Sequence, residues 1–355
     1  MKKKYSPGTS KDMQPVIQTN IFKRSLLSIV MIGAFSYLIS LNHIYLCIFV
    51  ILLGILVNKE IIGIAKIGSS YPSNKLVVAG LSALIFTYYI ADSLVYCVPL
   101  LSKWTPYLNS VFFYAYIALF MLFVCGLTKG KLKSQFAVFA LSHLASYFCA
   151  ISSKAGVRNI SNGKFWLVFP SSLVICNDIM AYIVGKAMGR TPLFKLSPKK
   201  TVEGFIGGFV GTAVLGGVFC YVHLNYNILS DTYSQELAKE YSLGWFTVRR
   251  LYIHCIPFVL VASFIAPFSG FLASALKRAY KKKDFGQSIP GHGGLADRFD
   301  CQVIIALFTN VYIRSFLRTK TQSLFCIYSY ITNNLNQEEI KVLISLLRKY
   351  LTEDA

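Results

Sequence analysis

Residues 274 to 300, SALKRAYKKKDFGQSIPGHGGLADRFD, bring together the groups that phosphoryl transfer requires. Ser274, Lys277, Arg278 and Lys281 fall at i, i+3, i+4 and i+7, so a helix through them presents its cations on one face. Pro290, Gly291, Gly293 and Gly294 then dictate a turn whose bare backbone amides can approach a ligand, and His292 projects from that turn. Asp297 and Asp300 follow at i and i+3, which aligns both carboxylates on one face of the next helix. Cations of this kind suit phosphate oxygens, and carboxylates suit magnesium.

Two further segments carry the same chemistry. In GRTPLFKLSPKKTVEGFIGG, residues 189 to 208, Pro192 and Pro198 break helix, and Ser197 or Thr201 can cap the helix that follows. Arg190, Lys195, Lys199 and Lys200 add positive charge where a helix N-terminus already attracts anions, and Glu203 is interleaved with them. Asp178 lies 12 residues before Arg190 in a run of apolar residues. At 1.5 Å per residue, helical rise buries it about 18 Å from that basic end. An ionisable group so deep in a span is a functional hypothesis by default. Asn177 and Asp178 are placed to anchor a cation, and Gly185 and Gly189 to admit a helix or a ligand.

The elements that must position these groups are membrane helices. The chain has 355 residues, 55% hydrophobic and 14% charged, against about 25% charged in soluble domains. This excludes a disordered chain, a secreted disulfide scaffold and a water-soluble enzyme with one apolar core. The nine cysteines form no CxxC pair and read as small buried apolar residues. Lys and Arg number 36 against 15 Asp and Glu, a formal charge of +21. In so apolar a chain, anionic headgroups and phosphate-bearing substrates are the expected partners, and nucleic acid is not.

A span needs about 20 apolar residues. Residues 25 to 57 contain no charge and are too long for one crossing, so they predict a hairpin turning near Leu41, Asn42 and His43. Further apolar segments near 76–100, 108–127, 135–152, 165–187, 204–222, 251–276 and 301–314 complete an all-α polytopic protein of about nine transmembrane helices. With the N-terminus in the cytoplasm, 23 of the 36 basic residues fall on the cytoplasmic side, as the positive-inside rule favours. Three divisions are expected: a disordered tail over 1–22, a polytopic catalytic domain over 23–318, and a tail over 319–355 with an amphipathic helix for a membrane surface or another subunit. Asn159, Ile160 and Ser161 form a glycosylation sequon in a predicted lumenal loop.

The 274–300 segment resembles the CDP-diacylglycerol synthase, or phosphatidate cytidylyltransferase, family. The signature positions are filled by Ser274, Lys277, Arg278, Lys283, Asp284, Gly286, Pro290, His292, Gly293, Gly294, Asp297, Arg298 and Asp300. CNDIMAY with GRTPLFKLSPKKTVEGFIGG, and KRSLLSIVMIGAF with VNKEIIGIA, are similar to the eukaryotic branch, so the resemblance runs over about residues 23 to 315. Many bacterial members carry a Gly-Asp pair just before the signature, where this chain has Ser269, Gly270 and Phe271; a metal ligand at that Asp has no counterpart here.

The resemblance implies that CTP and phosphatidate become CDP-diacylglycerol and pyrophosphate, with magnesium as cofactor and room for a second cation. It implies Asp297 and Asp300 as metal ligands, with Asp178 or Asp284 completing the shell. Lys283, Asp284 and His292 join the two acids as catalytic candidates. Arg190, Ser197, Lys199, Lys200, Thr201, Glu203, Ser274, Lys277, Arg278 and Arg298 are the expected contacts to triphosphate and lipid headgroup. The implied setting is the endoplasmic reticulum with a cytoplasmic active site, among membrane lipids, with a homodimer left open. The rival readings are a CTP-dependent polyprenol or dolichol kinase and a lipid or anion transporter.

Overall fold

A computed structural model describes residues 30–31, 33–67, 75–97, 104–194, 197–242, 244–245, 247–288, 293–317, 331–332 and 335–353. The expected hairpin forms: helix α1 runs over 33–40, the chain bends at Leu41 and Asn42, and α2 spans His43–Ile67. Lys164 Nζ closes the bend by donating to Ile39 O at 2.7 Å and Leu41 O at 2.5 Å, which satisfies carbonyls that a helix end leaves open.

Beyond the hairpin come α3 (Lys75–Cys97), α4 (Thr105–Cys125), α5 (Leu132–Ser161) and α6 (Phe165–Met188). A short antiparallel ribbon of β1 (Pro192–Phe194) and β2 (Ser197–Thr201) leads into α7 (Val202–Tyr226), with Pro192 opposite Thr201 and Phe194 opposite Ser197. After α8 (Ser234–Ala238) and the hairpin of β3 (Glu240–Ser242) and β4 (Thr247–Arg249), one long helix runs as α9 (Arg250–Leu260), a π-turn over Val261–Ile265, and α10 (Ala266–Ala279). Pro257 and Pro267 lack the N–H that an α-helical ladder needs, and the wider π-turn between them absorbs the mismatch. Helix α11 (Ala296–Tyr312) continues as a second π-turn to Leu317, and a last helix spans Gln337–Glu353 with Val342, Leu346 and Leu347 exposed.

These helices coincide in position with the predicted spans. Among the described residues, seven are long and apolar enough to cross a membrane: His43–Ile64, Tyr107–Cys125, Leu132–Ser161, Phe165–Met188, Val202–Tyr226, Arg250–Ala279 and Ala296–Leu317. Lys75–Ala91 is a shorter apolar helix. The expected disordered tail over 1–22 lies outside the described residues.

Close packing comes from small residues and a few satisfied polar groups, the usual adhesive where lipid removes the hydrophobic incentive for helix pairing. Helix α7 lays Gly204, Gly208, Thr212 and Gly216 against its neighbours at four-residue spacing. A Cβ added at Gly204 would lie 2.6 Å from Ala181 O, and one at Gly208 2.7 Å from Asn177 Oδ1. The close approach expected at Gly185 and Gly189 is made by the chain itself, since Cβ atoms there would lie 3.0 and 2.6 Å from Thr201 Oγ1. Asn58 Nδ2 donates to Ser82 Oγ and Ser146 Oγ, tying α2 to α3 and α5. Phe165, Trp166, Phe169 and Phe258 fill the core between α6 and α9.

The expected lumenal loop at the sequon is overturned. The sequon residue Asn159 is in helix α5 rather than a loop, is 1% exposed, and donates through Nδ2 to Ala306 O at 2.9 Å. Helix α5 outruns the apolar stretch that predicted its end, because its last turns bury Asn159 and Ile160 inside the protein.

Candidate active site

The α10–α11 connection is built around Asp297. Helix α10 stops at Ala279; Lys281 takes a left-handed φ of 54°, its N–H donates to Arg278 O at 3.0 Å, and Lys282 N–H donates to Lys277 O at 2.8 Å. This closes the helix C-terminus and removes Lys281 from the cationic face expected for it. Lys277 stays on the helix and meets Asp297 Oδ1 at 2.5 Å, over the ring of Phe285 at 5.3 Å. Asp297 Oδ2 accepts the backbone N–H of Phe285 at 2.9 Å and of Gly294 at 3.1 Å. Both carboxylate oxygens are therefore engaged in holding the turn.

Gly293 has φ +86°, a conformation that favours glycine, and a Cβ there would lie 3.4 Å from Asp284 Cγ. Lys283 and Asp284 are exposed beside the turn; Arg278 is exposed and donates to Lys282 O at 3.4 Å; Ser274 is half-buried on α10. Pro290, Gly291 and His292 lie outside the described residues.

Asp300 occupies a different setting one helical turn along. Its Oδ1 accepts the N–H of Cys301 at 2.8 Å, and a Cβ on Gly270 of α10 would lie 3.5 Å from its Oδ2. Both acids thus face α10, as their spacing requires, yet they do different work. Asp178 on α6 lies within electrostatic reach of Asp300, Lys200 and Arg298. Its side chain reaches the surface of the protein, while neighbouring groups partly desolvate it. Asn177 is the buried neighbour, turned about 100° away by helix geometry so that its Oδ1 meets α7 near Gly208. The expected Asn177–Asp178 pair therefore does not form a joint anchor. Lys200 Nζ sits 4.5 Å over the Phe271 ring of α10, bringing the second basic turn to the first.

Within that second turn, Thr201 caps α7, its Oγ1 accepting Gly204 N–H at 3.2 Å, as expected. Glu203 accepts the N–H of Arg190 at 3.1 Å, the N–H of Thr191 at 3.1 Å and Thr191 Oγ1 at 2.9 Å. Glu203, expected as a substrate contact, clasps the ribbon back onto α7 in this structure. Arg190 is exposed at this clasp. Ser197 and Lys199 belong to strand β2, and Lys195 lies outside the described residues.

Sequence reasoning missed Glu60. From α2 its Oε2 accepts the N–H of Ala296 at 2.8 Å, and its Oε1 accepts the hydroxyl of Ser288. The signal was available, since Glu60 is the one acidic residue of the mostly apolar helix α2.

Membrane-length helices gathered around one basic, carboxylate-bearing end make this an integral membrane protein equipped to handle phosphate groups. The cytidylyltransferase family model matches residues 22–316. The chain belongs to the cytidylyltransferase family and is a nucleotidyltransferase. It is 46% identical over 342 residues to the phosphatidate cytidylyltransferase of Encephalitozoon cuniculi, covering 94% of this chain and 87% of that protein. It is 32% identical over 370 residues to the phosphatidate cytidylyltransferase of Saccharomyces cerevisiae, covering 94% and 81%. With phosphatidate cytidylyltransferase 2 of Mus musculus it shares 40% over 280 residues, 72% of this chain and 62% of the mouse protein.

Proposed function

We propose that the chain condenses phosphatidate with CTP, giving CDP-diacylglycerol and pyrophosphate. The observation that carries this reading is the meeting, at one end of the bundle, of two basic turns with Asp178 and Asp300, in a chain whose relatives are named for this activity. A phosphate oxygen of phosphatidate attacks the α-phosphorus of CTP. The bond to the oxygen bridging to the β-phosphorus breaks, and pyrophosphate leaves with that electron pair. Both reactants are anions, so Lys200, Arg298 and the exposed Lys283, Arg278 and Arg190 lower the repulsion between them.

The residues fit magnesium. Among the described residues no three His, Cys, Asp or Glu side chains cluster to hold a metal alone, and magnesium is normally held by one or two carboxylates together with waters and substrate phosphates. Asp178 and Asp300 stand on the neighbouring helices α6 and α11 and interact electrostatically, and a divalent cation would be attracted to two such carboxylates. We assign them as the principal ligands and Asp284 as a neighbour able to serve a second cation; Asp297, with both oxygens engaged, holds the turn. Bound there, magnesium would neutralise phosphate oxygens and the charge developing on pyrophosphate.

Asp178 is exposed on a helix of membrane-spanning length. A charge so placed needs water or a polar headgroup, which supports a cavity at the membrane boundary where lipid phosphate meets nucleotide. The charge distribution supports a cytoplasmic site, and the resemblance to the eukaryotic branch is the ground for an endoplasmic-reticulum setting. The test uses purified protein, magnesium, phosphatidate and CTP labelled at the α-phosphate. Label entering lipid is the expected result. Label confined to soluble CDP would indicate a kinase, and unconsumed CTP a transporter; either would overturn the proposal.

A further inference from the structure

We infer that Glu60 is a positioning residue for nucleotidyl transfer, a clamp by which α2 sets the shape of the glycine turn between α10 and α11. The inference rests on the reading of that turn as the transfer site. Glu60 accepts from the backbone N–H of Ala296, the first residue of α11, at 2.8 Å, and from Ser288 Oγ eight residues earlier. One carboxylate thus pins both sides of the turn to a helix that is far away in sequence.

The two glycines facing it show how closely the turn is moulded on this side chain. A Cβ on Gly286 would lie 2.9 Å from Glu60 Oε1, 3.0 Å from its Cδ and 3.3 Å from its Cγ. All three nearest atoms belong to Glu60. A Cβ on Gly294 would lie 2.6 Å from Glu60 Oε2 and 3.0 Å from Asp297 Oδ2. Gly294 is therefore wedged between the clamp and the acid that pairs with Lys277. Displacing the clamp releases Ala296, and with it the first turn of α11, which carries Asp297 and Arg298, with Asp300 one turn further on. Glu60 itself need not touch substrate.

A misplacement of about 1 Å at a reacting centre can reduce turnover on the order of 100-fold. Purified Glu60→Ala is accordingly expected to lose at least about tenfold in kcat, with the KM for phosphatidate shifted less than about threefold, because a residue that only positions the turn acts on the reacting geometry. Glu60→Gln retains a carbonyl for Ala296 N–H and an amide that can donate to Ser288 Oγ, so it is expected to stay within about threefold of wild type. Gly286→Ala should reproduce the loss in the wild-type background and add little in a Glu60→Ala background, since the three nearest atoms an added Cβ would meet all belong to Glu60.

The second readout needs no substrate. Hydrogen–deuterium exchange over 284–296 should accelerate in Glu60→Ala and Gly286→Ala, while exchange in α5 and α6 stays unchanged. Wild-type-like kcat in Glu60→Ala, or unchanged exchange over the turn, would overturn the assignment. Should Glu60→Ala fail to fold, near-normal kcat in Gly286→Ala would do the same. If the wild-type chain does not turn over CTP while exchange responds as expected, the functional reading fails and the clamp stands as a structural feature only.

Discussion

Lys277 Nζ lies 2.5 Å from Asp297 Oδ1, and the two side chains are only 13% and 8% exposed. This pair joins α10 to α11 across the glycine turn, with the second oxygen of Asp297 satisfied by two backbone N–H groups. Removing one partner of such a pair strands the other charge at about 3–5 kcal/mol. Asp297→Asn is therefore expected to lower the unfolding temperature as well as turnover. A variant that loses turnover at unchanged thermal stability would return Asp297 to the role of metal ligand.

Asp178 and Asp300 should behave in the opposite way. Among the described residues neither forms an ion pair with a basic side chain, so Asp178→Asn and Asp300→Asn leave the unfolding temperature nearly unchanged. Turnover should fall by about 100-fold or more, since an amide supplies no negative charge for magnesium. Pyrophosphate release in the presence of a chelator should vanish for wild type, and higher magnesium should restore part of the activity of the single variants. Activity that ignores both the chelator and the substitutions would rule out the assignment.

Glu203 holds the ribbon to the start of α7. Glu203→Ala frees the N–H groups of Arg190 and Thr191 together with the Thr191 hydroxyl, so the ribbon loses the acceptor that folds it back onto α7. The expected phenotype is faster proteolysis of 189–201 and reduced turnover, with the segment 284–296 unaffected. Unchanged proteolysis would count against the clasp.

Helix α7 offers a matched pair of glycines. Gly208→Ala drives a Cβ to 2.7 Å from Asn177 Oδ1 and 3.2 Å from Ala181 Cβ, an overpacking expected to destabilise by about 1–3 kcal/mol. Gly217→Ala meets nothing within 4 Å and removes a poor helix former, with a gain of up to about 1 kcal/mol. Thermal unfolding in the same detergent compares them directly. Equal effects at both positions would contradict the α6–α7 packing.

The buried sequon predicts that Asn159 carries no glycan when the chain is expressed in a eukaryotic cell. Asn159→Ala removes the side-chain hydrogen bond to Ala306 O and should destabilise by about 0.5–1.5 kcal/mol. A glycosidase-sensitive mass shift that disappears in Asn159→Gln would contradict the helical, buried position.

The sequence by itself determined the helical membrane class, the α1–α2 hairpin and the segments that carry the chemistry. These are local properties: apolar runs of span length, helix-breaking prolines and glycines, and the periodicities that place Asp297 and Asp300 toward one neighbour. Only the tertiary structure decided which acids are engaged and which remain available. Spacing puts a carboxylate on a helix face but does not say whether Lys277 or Lys200 reaches that face from another element. Asp297 and Asp300 look alike in the sequence, yet one is paired with Lys277 and the other stands near Asp178. Glu203 likewise reads as one of a set of polar residues until the ribbon folds back and its oxygens meet the N–H groups of Arg190 and Thr191. Glu60 is the clearest case, because its partner Ala296 lies 236 residues away. No local pattern encodes that contact; it exists because the packing of α2, α5 and α11 brings their ends together.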